Sequence, residues 1–153
     1  MISAGILLYR RTGGAVEVLL AHPGGPFWAN RDEGAWSVPK GEATEGEGLL
    51  EVARREFAEE VGIPVSCEPS LALGSVTQRS GKVVYAWACE GDIDPVEQRS
   101  NVFSMEWPPR SGRVQEYPEI DKVGWFDPEI ARRKLNPAQA VFVDRLLGLL
   151  NES

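Results

Sequence analysis

The stretch Gly41–Ile63, GEATEGEGLLEVARREFAEEVGI, constrains this chain more than any other. Glu56, Glu59 and Glu60 fall within five residues, directly after Arg55. On a helix, spacings of three and four put side chains on neighbouring turns of one side, so Glu56 meets both Glu59 and Glu60. Like charges so placed repel, and a helix gains nothing from them alone. A solvated acidic face is the ordinary origin of such a run. The alternative is a hard cation such as Mg²⁺, which takes carboxylate oxygens and keeps waters for a phosphate-bearing ligand.

The periodicity predicts a helix over Leu49 to Val61, with Leu50, Ala53, Phe57 and Val61 as one apolar stripe and the carboxylates to one side of it, facing a cleft. Gly62 stands where a C-cap glycine belongs, and Pro64 stops the helix. Glu47 and Arg55 lie a little over two turns apart, close enough to pair.

The other segments fall into strands, loops and two closing helices. Ser3 to Arg11 and Val16 to Leu20 form a predicted hairpin around Thr12-Gly13-Gly14. The segment His22-Pro23-Gly24-Gly25-Pro26-Phe27-Trp28 is a loop, since its prolines and glycines preclude regular structure. His22, the only histidine, is expected to be packed or hydrogen-bonded at a strand end. Ala35 to Pro39 reads as a short strand, with Lys40 and Gly41 as the approach loop. Leu71 to Gln78 and Lys82 to Cys89 pair across Ser80-Gly81. Val102 to Trp107 is a further strand candidate and Pro108 to Gly112 a loop. Gln115 to Glu119 is a loop before the strand Val123 to Phe126. Asp127-Pro128-Glu129 and Asn136-Pro137 each open a helix, the second running from Ala138 to Leu150 with Val141, Phe142, Leu146, Leu149 and Leu150 on its apolar face.

The chain has 153 residues and is expected to be one domain over 1–153. A net charge of −7 argues against a nucleic-acid polymer held by phosphate contacts, but not against a small phosphorylated ligand, because a bound cation reverses the local sign. No stretch approaches membrane-spanning length. Cys67 and Cys89 have no metal-type spacing; a single disulfide between them is open, and two free thiols in a reducing cytoplasm are the favoured expectation. Alternating strand and helix signals give an α/β layered fold.

Position by position, Gly41, Glu47, Arg55, Glu56, Phe57, Glu59, Glu60, Gly62 and Ile63 resemble the Nudix box: a glycine, five residues, Glu, seven residues, then R-E-apolar-x-E-E-x-G-apolar. The match departs only at Phe57, where the family more often has an aliphatic residue. The resemblance implies an α/β/α fold, a mixed β-sheet sandwiched between helices. It also implies hydrolysis of a phosphoanhydride in a nucleoside diphosphate linked to another group, by water activated on Mg²⁺ (or Mn²⁺). Metal would be held by Glu56, Glu59, Glu60 and the backbone carbonyl of Lys40, with Glu47 and Arg55 as a structural ion pair. Glu59 and Glu60 would be catalytic, together with a glutamate outside the box, Glu119 in preference to Glu116.

The lead-in Trp36-x-x-Pro39-Lys40-Gly41 is similar to that of dinucleoside-polyphosphate and diphosphoinositol hydrolases of the family. This favours a nucleoside or dinucleoside polyphosphate; nucleotide sugars, diphosphoinositols or damaged dNTPs are alternatives, as is a nucleotide-sensing module that does not cut. Phe27, Trp28, Trp36 and Tyr85 are candidates for stacking on a base. Trp36 and Tyr85 lie in expected strands, which favours packing for them. Lys40 is a candidate phosphate contact, as are Arg79 and Lys82 beside their turn. Monomer and homodimer are both open.

Overall fold

The computed structural model describes residues 1–150. Strands β1 (Ile2–Thr12), β2 (Ala15–Pro23), β3 (Lys40–Glu42), β4 (Leu71–Thr77), β5 (Val83–Glu90) and β8 (Ile120–Phe126) make one mixed sheet in the order β4-β5-β1-β2-β8, with β3 also paired to β1. β1 and β2 form the expected antiparallel hairpin, with Thr12 opposite Ala15, while β1 and β5 run parallel. A separate two-stranded hairpin consists of β6 (Val102–Glu106) and β7 (Val114–Pro118).

Both faces of the sheet are covered, which is why β1 and β2 read as near-continuous apolar runs. Leu7, Tyr9, Val18 and Leu20 point to the face covered by helices α2 (Pro128–Lys134) and α3 (Ala140–Leu149). Ala4, Ile6, Leu8 and Leu19 point to the face covered by α1 (Leu49–Val61) through Val52, Ala53, Phe57 and Val61. This is the α/β/α sandwich. Asp127 caps α2, its carboxylate accepting the Ile130 N–H at 2.8 Å. Asn136 caps a 3₁₀ turn at Pro137–Gln139, so α3 begins two residues later than the proline signal suggests.

Several expectations are corrected. Ala35 to Pro39 makes only isolated bridges at Trp36 and Ser37; the strand is Lys40–Glu42, read from sequence as loop. The reason is register: Gly5, Ala4 and Ser3 of β1 offer pairing partners to Lys40, Gly41 and Glu42. Val114–Pro118 is strand because β6 folds back on it. On α3, Phe142, Val143, Leu146 and Leu147 are buried, whereas Val141 and Leu149 are exposed. Cys67 and Cys89 are joined in a disulfide, with Cα atoms 5.1 Å apart; both sit in the core beneath α1, where β5 brings Cys89 to the segment following that helix.

The face of α1 is also turned from the expected one. Val52, rather than Leu50, is buried with Ala53, Phe57 and Val61. At about 100° per residue, Glu56 and Glu60 then project between Val52 and Phe57, within the inward sector rather than beside it. That rotation half-buries two of the three acids.

Candidate active site

Helix α1 positions the acids, and its two ends are fixed by different means. At the C-terminus Gly62 takes the left-handed conformation (φ 80°) and donates its N–H to the Ala58 carbonyl at 2.9 Å, a helix-ending geometry that favours glycine. The last carbonyls are capped by the segment 98–101. Asn101 N–H donates to Glu59 O at 3.0 Å and Arg99 N–H to Val61 O at 2.8 Å. Gln98 Nε2 donates to Glu60 O at 2.9 Å and to Ile120 O at 3.2 Å, linking the helix end to β8.

The same segment places Glu119, the residue between β7 and β8. Its N–H donates to Asn101 O at 2.8 Å, and its carbonyl accepts the Gly24 N–H at 2.9 Å. Glu119 therefore faces one cleft with the helix acids. That cleft, of about 350 Å³, is lined by Glu56, Glu59 and Glu60 of α1, Lys40, Gly41 and Glu42 of β3, Ser3 of β1, Lys82, Asn101 and Glu119. Glu116 is exposed on β7, opposite Ser104, and is not among the lining residues.

The approach to α1 is braced as expected. Glu47 pairs with Arg55, and it accepts hydrogen bonds from the N–H of Thr44, at 2.9 Å, and from its hydroxyl. The Arg55 guanidinium, with Thr44 assisting, holds the Glu47 carboxyl down at about 2. Arg55 also lies 3.6 Å from Glu56 and 3.9 Å from Glu59, so it steadies two of the cleft acids.

Crowding and burial show in the titration of the cluster. Burial pushes the Glu60 carboxyl up to about 8, with Glu56 and Glu119 adding to the rise, while the Lys40 N–H bond at 3.1 Å and the Lys40 ammonium oppose it. Burial, then Glu59, raises the Glu56 carboxyl against the pull of Arg55. Burial lowers the Lys40 ammonium, and Lys82 adds to that. Gly41 is required by close approach: a Cβ there would overlap the carboxylate of Glu56.

Do these residues suit a metal? Their donors are hard oxygens, and the Glu56 and Glu60 carboxyls are destabilised in their charged form by burial and by neighbouring carboxylates, which a divalent cation would relieve. Among the described residues no three acidic side chains are already gathered into a ligand set. The donor chemistry and the shared cleft fit a cation.

The aromatic candidates lie elsewhere. Trp36 is 4% exposed, packs edge-on against Phe126 and His22, and donates its ring N–H to Asp32 at 2.7 Å. It belongs to the core and offers no face to a base. Tyr85 is half-buried in β5, away from the cleft lining. Phe27 and Trp28 contact one another in the 24–34 loop, and the Arg31 guanidinium lies 4.3 Å above the Phe27 ring. Arg79 does not line the cleft, whereas Lys82 does. His22 is packed as expected, bonded to Asp121 at 2.9 Å and to the Arg31 carbonyl at 2.6 Å. Sequence reasoning missed Ser3, Glu42 and Asn101. Only the polar break that Ser3 makes at the start of an apolar strand could have drawn notice.

A mixed sheet between helices, with five glutamates from α1, β3 and the β7–β8 junction around one cleft, defines the class. The NUDIX domain family profile matches residues 1–146. An RNA pyrophosphohydrolase of Caulobacter vibrioides is 30% identical over 129 residues, covering 69% of this chain and 74% of that protein. Among solved structures, a C. elegans Ap4A hydrolase binary complex superposes with a TM-score of 0.63 at 22% identity, covering 98% of this chain and 97% of that one. The NUDIX domain of Shewanella oneidensis NrtR, crystallised with ADP ribose, also gives 0.63, at 14% identity and with 98% and 88% covered. The chain belongs to the Nudix family. Within it, this is a pyrophosphohydrolase by class.

Proposed function

We propose that the chain hydrolyses a phosphoanhydride bond of a nucleoside or dinucleoside polyphosphate, with Mg²⁺ (or Mn²⁺) held by Glu56, Glu59, Glu60 and the carbonyl of Lys40. The observation that carries this is the meeting of Glu119 with the three α1 glutamates and two lysines in one cleft. The chemistry a divalent cation supplies there is charge neutralisation on phosphate oxygens and a more acidic water. Lys40 and Lys82 bind the polyphosphate chain and orient it for in-line attack. Glu119, held by its backbone rather than on the helix, takes the proton of the attacking water. Arg55, anchored on Glu47, keeps Glu56 and Glu59 directed at the cleft. The 24–34 loop, with Phe27 and Trp28, is where a base would be met.

The C. vibrioides relative favours a second reading, in which the substrate is the 5′-terminal polyphosphate of an RNA. A net charge of −7 weighs against grip on the rest of such a chain. A cytoplasmic location suits either substrate; a reducing compartment would hold the Cys67–Cys89 pair as two buried thiols. The test is a panel of dinucleoside tetraphosphates, nucleotide sugars, dNTPs and 5′-triphosphorylated RNA, with Mg²⁺, in ¹⁸O-labelled water. Label in one phosphate product from a dinucleoside polyphosphate is expected. Release of pyrophosphate from RNA alone would establish the second reading, and binding without turnover on every compound would refute both.

A further inference from the structure

His22 is 2% exposed, lies outside the acidic cleft and takes no part in the chemistry described above. Its Nδ1 is 2.9 Å from Asp121 Oδ1, and its Nε2 is 2.6 Å from the carbonyl oxygen of Arg31. Both partners are acceptors, so each ring nitrogen donates. The ring of Trp36 meets the imidazole edge-on at 5.2 Å and backs it.

The Asp121 bond leads to the proton acceptor. His22 pairs with Lys122 and Pro23 with Ile120, which leaves Asp121 as an extra residue of β8 without a partner on β2. Such a bulge re-aims side chains, and here its unpaired residue is fastened to His22. Glu119 lies just before the bulge. A strand that slips by one residue turns its side chains to the other face, so the bulge sets which way Glu119 points.

The Arg31 bond leads to the 24–34 loop. Gly24 at its start donates its N–H to the Glu119 carbonyl at 2.9 Å, and Arg31 near its end is held by His22. Arg31 in turn donates its Nε–H to the Phe27 carbonyl at 3.2 Å and accepts nothing from solvent at its own carbonyl, which faces the buried ring. Its guanidinium lies over the rings of both Phe27 and Trp28. One imidazole thus clasps the loop to the strand that carries Glu119.

We propose that His22 is a positioning residue with two separable duties: through Asp121 it holds the bulge that directs Glu119 at the cleft, and through the Arg31 carbonyl it holds the loop that meets the base. The inference rests on the reading of Glu119 as proton acceptor and of the 24–34 loop as the base site. It touches neither substrate nor cation.

Two conservative variants divide the duties. The amide nitrogen of asparagine takes the place of Nδ1, and that of glutamine the place of Nε2. His22→Asn keeps the Asp121 bond and frees the loop, so KM for a dinucleoside tetraphosphate should rise about tenfold, the size of one hydrogen bond, with kcat within twofold. His22→Gln keeps the loop and frees Asp121, so kcat should fall about tenfold or more with KM little changed. In a Glu119→Gln background, His22→Gln should lower kcat no further. Melting temperatures confirm that each variant is folded. With a single histidine in the chain, ring signals of ¹⁵N-labelled protein belong to His22, and both nitrogens should carry bonded protons. Variants that melt earlier but keep both kinetic parameters within twofold, variants that change kcat and KM alike, or one bare ring nitrogen overturn the proposal. Unchanged kcat in Glu119→Gln alone would refute the reading of Glu119, while a raised KM in His22→Asn would still support the loop anchor. If no substrate turns over, the hydrolase reading falls, and the Kd of the same dinucleoside tetraphosphate in EDTA decides the anchor: tenfold weaker binding by His22→Asn supports it, and unchanged binding overturns it.

Discussion

The Glu60 carboxylate accepts the backbone N–H of Lys40 at 3.1 Å, joining the last turn of α1 to strand β3 across twenty residues of chain. The contact draws an acid inward, next to a lysine that is itself deprived of water. It is the point where the box helix, the sheet and the cleft meet.

Glu60 should therefore make the cation-free protein less stable as pH rises. Its folded pKa, about 8, lies above the ordinary carboxyl value of 4.5. A group raised in this way contributes stability that is fully present below pH 4.5 and lost progressively up to pH 8. Glu60→Gln should flatten that loss and raise the melting temperature in EDTA at pH 8, with little effect at pH 4.5. Added Mg²⁺ should stabilise wild type more at pH 8 than at pH 5, since it binds the ionised form. Thermal melts across this range decide the matter; an unchanged pH profile in Glu60→Gln would remove the burial argument.

Gly41→Ala should behave like a lesion of Glu56. The new Cβ would occupy the space of the Glu56 carboxylate, while the backbone of β3 needs no left-handed conformation there. We expect a folded protein whose Mg²⁺ affinity and turnover fall together, about as far as in Glu56→Gln. Two changes acting through one group are not additive, so the double variant should be scarcely worse than either single one. Full additivity in a double-mutant cycle would separate the two residues.

Glu119 and Glu116 provide a discriminating pair. Both precede the same strand in sequence, but only Glu119 reaches the cleft. Glu119→Gln should lower kcat about 10²- to 10⁴-fold, the range for loss of a general base. Glu116→Gln should stay within about twofold, as exposed substitutions do. The opposite ranking would place the proton acceptor on β7.

The Cys67–Cys89 bond closes a loop across 22 residues beneath α1. Loop-closure entropy gives it about 3 kcal/mol. The double change Cys67→Ala with Cys89→Ala should lower the melting temperature, and added reductant should then have no further effect. A variant as stable as oxidised wild type would show that the bond adds nothing.

The limits of sequence reasoning follow from which relationships are local. Glu56, Glu59 and Glu60 were legible because three residues of one helix turn carry their own geometry, and the bounds Leu49–Val61 match the periodicity. The burial of Glu60 was not, because it depends on how α1 is rotated against a sheet whose strands come from distant segments. Ser3 and Lys82 come to one cleft only through the parallel pairing of β1 with β5, about eighty residues on, which no local pattern announces. Strand β3 was hidden by Pro39-Lys40-Gly41, a sequence with turn residues, until the register with β1 supplied its partners. Trp36 and Phe27 are alike as aromatics in sequence, yet one is core and the other 49% exposed. The Cys pair was misjudged because compartment, not proximity, was the only guide available.

The most direct test of the account is Mg²⁺-dependent hydrolysis of a dinucleoside tetraphosphate by wild type and by Glu59→Gln and Glu60→Gln, each with proof of folding. Turnover in Mg²⁺, none in EDTA, and a loss of about 10²-fold or more in both variants is the predicted result. Turnover that persists in EDTA, or variants within a few-fold of wild type, would contradict the assignment of the α1 glutamates as the cation site.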